Sequence, residues 1–227
     1  MKQISKILAI LLLAFSLTSC DWIKKLVEPE EKTEPNEIKG ETNIPINEVG
    51  NKFSTTVKLG TQVYPLNEEI KITRSEGGVV TVGIKADPGT STKVQDFLKK
   101  LPVNVTDVAG KINTEIKMKS SSEGIQNFTL NGKLHTIAKY DAKLGDTYTQ
   151  TTSDGKTLTR KVTQRSSVDD FPYGNMNIKV VTVEQNSTIP GIRKYIYKAN
   201  HKFGLVHIEI ILEDGTSISS YIFSQNY

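Results

Sequence analysis

The chain has 227 residues, with 29 lysines and arginines against 25 aspartates and glutamates, and a single cysteine. That length is enough to bury a real core in one domain or two small ones, and one cysteine excludes any internal disulfide. The net charge of +4 is spread without a dense Lys/Arg run, so the concentrated basic stripe that nucleic-acid recognition requires is missing.

The chain opens with Lys2 and Lys6, continues through the apolar run Ile7 to Leu17, and closes on small residues before a cysteine, the three-part layout of an export signal. A membrane-spanning helix needs roughly 20 apolar residues, and this run stops well short. Leu17-Thr18-Ser19-Cys20 resembles the lipobox of bacterial lipoproteins: an aliphatic residue, two small residues, then the modified cysteine. The resemblance covers the first twenty residues only. It implies that the Cys20 thiol takes a diacylglyceryl group, that a signal peptidase removes residues 1–19, and that the new amino terminus is acylated. Two or more acyl chains anchor stably where one holds only marginally. Loss of Lys2 and Lys6 takes 2 from the 29 basic residues and leaves a net charge of +2. The expected location is a bacterial cell envelope, at the outer rather than the inner membrane. Asp21 resembles an inner-membrane retention signal of enteric bacteria and is given no weight.

Residues 20–49 are rich in Glu, Pro, Lys, Asn and Thr, as in EPEEKTEPNEIKGETNIP, and offer little to bury. Such a segment reads as a disordered tether. As a flexible coil it spans roughly 30 Å on average and about 90 Å when stretched. Trp22, Ile23, Leu26 and Val27, beside Lys24 and Lys25, could dip into the membrane interface.

Residues 50–227 read as a mainly β domain, with α+β the alternative, and as one unit or two subdomains meeting near residue 139. Gly77-Gly78, Asn131-Gly132, Asp154-Gly155 and Asp214-Gly215 each lie between runs rich in Thr, Ile, Val and Tyr, a hairpin signature. Pro190-Gly191 fits a type II turn. One helix is expected near 91–101, where Ser91 or Thr92 caps an apolar stripe of Val94, Phe97, Leu98 and Leu101 before Pro102. The segment KYDAKLGDTYTQTTSDGKTLTRKVT, Lys139 to Thr163, resembles β-rich segments of uncharacterised lipoproteins of Bacteroidota; this similarity spans the C-terminal half at best and implies no activity. Strands are expected near 145–152, 157–166, 176–186, 192–200, 205–213 and 217–224, joined as an antiparallel, curved meander. In LVHIEIILE the alternation places Val206, Ile208, Ile210 and Leu212 on the core face, and His207, Glu209 and Glu213 on the wetter one.

Chemistry is harder to find. The one thiol is committed to lipid, no Gly-x-Ser-x-Gly elbow occurs, and only His135, His201 and His207 could serve as imidazole bases. His207 and Glu209 share a strand face near His201, yet alternation alone accounts for them, so no metal and no cofactor is expected. Asp169 and Asp170 in VDDFPYGN are adjacent, whereas glycosidase carboxylates flank a bond about 5 to 9 Å apart. The expected function is therefore a membrane-anchored lipoprotein with a non-catalytic binding or structural domain, whose partner is an envelope protein, a glycan or an apolar molecule. The alternative is an envelope hydrolase assembled from distant residues, with Asp169, Asp170 and His207 as candidates. Tyr195 and Tyr197 fall opposite Ile192 and Ile196 on one strand, so both sets cannot enter a single core; with Tyr173 they are the expected binding surface.

The anchor is tested by Cys20→Ser. The variant should accumulate as an unprocessed precursor and fail to incorporate a labelled fatty acid; label persisting on it refutes the assignment.

Overall fold

The computed structural model describes residues 37–59, 62–65, 69–87, 106–129, 132–151 and 155–226. After a short 3-10 turn, Pro45–Asn47, come β1 (Lys52–Leu59), β2 (Gln62–Pro65), β3 (Glu69–Glu76), β4 (Val79–Ala86), β5 (Ile112–Ser121), β6 (Gly124–Phe128) and β7 (Leu134–Lys139). The second half supplies β8 (Thr147–Thr151), β9 (Thr157–Arg165), β10 (Phe171–Tyr173), β11 (Met176–Ile178), β12 (Val181–Asn186), β13 (Ile192–Asn200), β14 (Gly204–Leu212) and β15 (Ser217–Ser224). The expected C-terminal strands are all present, except that the run 176–186 is divided between β11 and β12. The helix expected near 91–101 lies outside the described residues.

Period-two alternation drives these elements: Ile70 and Ile72 on β3, then Val80, Val82 and Ile84 on β4, are buried on one face while their neighbours face outward. Gly77 and Gly78 hold φ of +55° and +80°, the two positive values that a tight hairpin matching the strand twist demands.

The strands form one antiparallel sheet in the order β7-β6-β5-β4-β3-β1-β15-β14-β13-β12-β9-β8, with β2 beside β1. Two meanders are thus stitched together where β1 pairs with β15, Phe53 opposite Ser224 and Leu59 opposite Ile218. Lys139 ends β7, and the strands before and after it belong to this same sheet. The sheet curls until β7 and β8, consecutive in the chain, come together, and side chains make the join. His135 Nε2 donates to the Tyr148 carbonyl at 3.1 Å, the Lys139 amide donates to Tyr148 Oη at 3.4 Å, and Arg160 on β9 donates to the His135 and Thr136 carbonyls of β7 at 3.0 and 3.1 Å. The barrel-like interior holds residues from β3 to β9 and from β12 to β15, including Ile84, Ile137, Val162, Val183 and Ile208.

Residues 37–49 correct the expected tether. Ile38 is fully buried, Lys39 N donates to Glu123 Oε2 at 2.8 Å, and Asn47 Nδ2 donates to the Thr42 and Ser120 carbonyls at 2.9 and 3.0 Å. The folded domain therefore begins at least by residue 37. Polar composition misled here because two isoleucines, Ile38 and Ile46, and a set of hydrogen bonds suffice to hold an otherwise polar segment.

Two β-bulges also shift the expected faces. One extra residue at Arg193 lets Ile192 face inward with Tyr195 and Tyr197, and another at Val206 turns that valine outward beside His207. Outward does not mean wet. The β10–β11 hairpin lies over this outer face, and Tyr173, Ile178, Val180, Phe203 and Val206 form a second apolar cluster beneath it. His207, expected on the wetter face, is buried there, 6% exposed.

Arg160→Met should destabilise the domain by about 3 kcal/mol, because it strands several buried oxygens at once. For a domain of this size the melting midpoint should fall by about 10 °C. Arg160→Lys should recover little of the loss, since one ammonium cannot serve the two directions that the guanidinium fork spans. Thermal melts of the three proteins read this directly.

Candidate functional site

Arg160 is the largest fully buried side chain, 1% exposed, with Nε donating to Gln185 Oε1 at 2.6 Å and Nη1 to Asn127 Oδ1 at 2.8 Å. Its Cζ stands 5.3 Å from the Tyr197 ring centroid. The group is saturated by neutral partners, so it reads as a structural bridge rather than an anion receptor. Beside it, burial and the Arg160 charge push His135 down to about 3. The carbonyl of Tyr148 can only accept, so the His135 proton sits on Nε2, and buried Nδ1 has no hydrogen-bond partner among the described residues.

The expected tyrosine surface is not formed. Tyr195 and Tyr197 are 2% and 1% exposed inside the barrel, whereas Tyr173 is 4% exposed in the outer cluster, where its hydroxyl donates to the Ile222 carbonyl at 2.9 Å. The wall of β13 separates them. Tyr173 instead joins a row of rings: its centroid lies 4.9 Å from Phe203 and 4.8 Å from Phe223, and Phe171 stacks on Tyr221 at 5.6 Å. Tyr221 and Phe223 are parallel to within 9° at 6.2 Å, so neighbouring rings present their faces to each other and not to a sugar.

The candidate hydrolase residues do not assemble into a catalytic arrangement. Asp170 Oδ1 accepts from Ser166 Oγ at 2.5 Å, and Asp169 is exposed in the same loop. His207 is wedged edge-on against Phe171 and Tyr221, and its buried Nδ1 has no partner among the described residues. Burial, with Lys198 and Lys58 nearby, pushes it down to about 3, too weak a base for neutral pH. The His201, His207 and Glu209 trio is likewise dispersed: His201 sits exposed in the β13–β14 turn, and Glu209 accepts from Ser217. Among the described residues, no three His, Cys, Asp or Glu side chains converge as a metal site would need.

What the fold does build is an apolar chamber at one end of the barrel. It has a volume of about 70 Å³ and is lined by Phe53, Ile70, Ile72, Val80, Val82, Ile116, Met118, Ile125, Leu205 and Ile222, with Asn47 and Ser120 the only polar side chains. Among the described residues no charged group lines it. The turn Pro45–Asn47 stoppers this end, and Ile46 projects into the lining. Gly204 is required for the fit: a Cβ there would lie 2.7 Å from Ile46 Cδ1, and φ is +68°. Sequence alternation marks the lining residues as core, but nothing in it shows that the core is incompletely filled at this end.

No protein-family model matches the chain, and no curated protein matches it. Among solved structures, the chain is similar to a protein from Bacteroides fragilis described as exported and as having a YmcC-like fold, at 11% identity over 79% of this chain and 96% of that one, with a TM-score of 0.44.

The two buried histidines make stability depend on pH. Both fall from an ordinary 6.5 to about 3 on folding, so the folded protein binds fewer protons than the unfolded chain. Their contribution is complete above about pH 6.5 and is lost as pH falls from there toward about 3, by at most about 1.4 kcal/mol per pH unit for each histidine. His207→Phe keeps a ring against Phe171 and Tyr221 and should remove about half of that slope. Thermal midpoints measured from neutral pH down to about pH 4 check it.

Proposed function

We propose that this chain is a lipoprotein anchored through acyl groups on Cys20 to a membrane of the bacterial cell envelope, at the outer rather than the inner membrane, and that its barrel is a non-catalytic domain that binds an apolar molecule. The observation that carries the binding reading is the stoppered chamber. Its lining is almost wholly aliphatic, and an apolar cavity of this kind stays dry and accepts apolar guests in preference to water. Of the three partner classes open at the level of sequence, the apolar molecule is the one that matches the lining of this chamber. A glycan would want ring faces turned outward, and the outer rings are stacked on one another.

At about 70 Å³ the chamber is small beside the roughly 300–1,000 Å³ of ordinary ligand pockets, so it suits the end of a hydrocarbon chain, with more room made if Ile46 withdraws.

Decanol is a suitable neutral probe. At about 100 times its dissociation constant it should stabilise the mature chain by about 2.7 kcal/mol, raising the melting midpoint by several degrees. Val82→Phe, which fills the chamber, should abolish the response, and Ile46→Ala, which opens the stopper, should reach the same rise at lower decanol concentration. An equal response in wild type and Val82→Phe would sink the chamber as the binding site.

A further inference from the structure

A second opening lies on the same end of the barrel. This niche of about 120 Å³ is formed by Tyr140, Arg165, Ser166, Lys179, Asn200 and His201 among others. Arg165, Lys179 and His201 are exposed on its rim, and none is ion-paired with a carboxylate among the described residues. Two acids lie close by without ion-pairing to these cations: Asp170 Oδ1 accepts from the lining Ser166, and Asp141 follows the lining Tyr140 as an exposed turn residue. Buried Asn200 fixes the floor, donating to the Lys179 carbonyl at 2.7 Å and accepting from the Lys202 and Phe203 amides at 2.8 and 3.1 Å. The niche is thus a preformed concavity with two exposed cations, Arg165 and Lys179, on its rim.

Its position relative to the apolar chamber is set by the β13–β14 ladder. Ala199 and Asn200 line the niche, their partners Leu205 and Gly204 line the chamber, and the pairs are directly opposite in register. Cross-strand partners stand about 5 Å apart. An apolar space and a cationic one therefore open side by side across a single strand pair.

We propose that this end of the barrel takes a single-chain anionic amphiphile, with the end of its acyl chain in the chamber under Ile46 and its carboxylate or phosphate at Arg165, Lys179 and His201. The proposal rests on the reading of the barrel as a binder of apolar molecules and adds the head-group chemistry. The length of the anchor agrees with it. Sixteen residues stand in sequence between Cys20 and Glu37, the first described residue, a reach of at most about 60 Å, and the described chain passes from there into the stopper. The chamber's mouth is thereby kept within reach of a surface that supplies such molecules.

The test compares decanoate, monodecyl phosphate and decanol on the mature full-length chain carrying Cys20→Ser, by titration calorimetry and by melting midpoint. Decanoate, monodecyl phosphate or both should bind about tenfold more tightly than decanol, with the advantage falling as salt is added. The two anions separate a fatty acid from a lysophospholipid as the natural source of the head group. The double variant Arg165→Glu, Lys179→Glu should lose that tenfold for the anions and keep the decanol affinity, which also shows that it is folded. Equal affinity for all three probes, or an undiminished anion preference in the double variant, overturns the head-group assignment while leaving the apolar chamber standing. If none of the probes binds, the chamber reading fails as well. Sedimentation with phosphatidylglycerol vesicles is the last arm: charge-sensitive binding to vesicles without binding of decanoate or monodecyl phosphate would make the rim a membrane-contact patch and overturn the proposal.

Discussion

Arg160 reaches from β9 across the seam of the barrel and ties three oxygens on β6 and β7 to Gln185 on β12. Two strand edges that meet without a shared ladder leave backbone groups to be satisfied some other way, and burying them unpaired is costly. A guanidinium answers that need because its donors fan out in a plane and reach both sides at once. Desolvating its charge is unfavourable, and burial accordingly pulls its pKa downward. The compensation comes from four directional bonds and the Tyr197 ring rather than from a carboxylate. The seam side of the interior must then be polar, with Asn127, His135 and Gln185 gathered around the cation. The apolar filling is displaced toward the end where β1, β4, β5 and β14 converge, and that is where the chamber lies.

That end is also where the chain enters. Residues 38–47 cross it, held by contacts of two kinds. Some are buried or part-buried, such as Asn47 on the Ser120 carbonyl and Asn51 on the Ile46 carbonyl; others are exposed, such as the Lys39 amide on Glu123 and the Glu41 amide on Ser122. Ile38, fully buried, and Ser121, whose hydroxyl donates to the Lys39 carbonyl, add to the hold on these first residues. Asn47 is the last firm attachment before the chamber. The stopper is thus held on both sides, by Ile38 and Lys39 before it and by Asn47 and Asn51 at and after it.

The strands were legible because their alternation and their Asx-Gly or Gly-Gly turns act locally, and the C-terminal meander follows from them almost strand for strand. What escaped depends on one-residue events and on remote cover. A bulge at Arg193 or at Val206 reverses which face a run of residues takes, and no period-two count can register it in advance. The hairpin that hides His207 comes from a segment some thirty residues upstream, joined to it only by folding. Arg160 did leave a trace. It stands in phase with Leu158 and Val162 on β9, as Gln185 does with Val181 and Val183 on β12, and all six are buried. Polar side chains in the core phase of neighbouring strands mark a buried network, a signal that a search for catalytic spacings passes over. The chamber left no such trace, since an underfilled core and a filled one share the same pattern.

The outer cluster gives β13, β14 and β15 a buried face on both sides, an arrangement that antiparallel sheets usually avoid. Tyr173, Phe203 and Phe223 pack one side while Tyr197, Ile208 and Ile222 pack the other, so displacement of this wall disturbs two cores at once. Close-packed interiors resist such shifts. The chamber is therefore bounded unequally, by a doubly supported wall at Leu205 and Ile222 and by a stopper resting on a few hydrogen bonds and one isoleucine. Room for a guest can be gained cheaply on only one side. That side belongs to residues 37–47, so the yielding face of the cavity lies where the described fold begins.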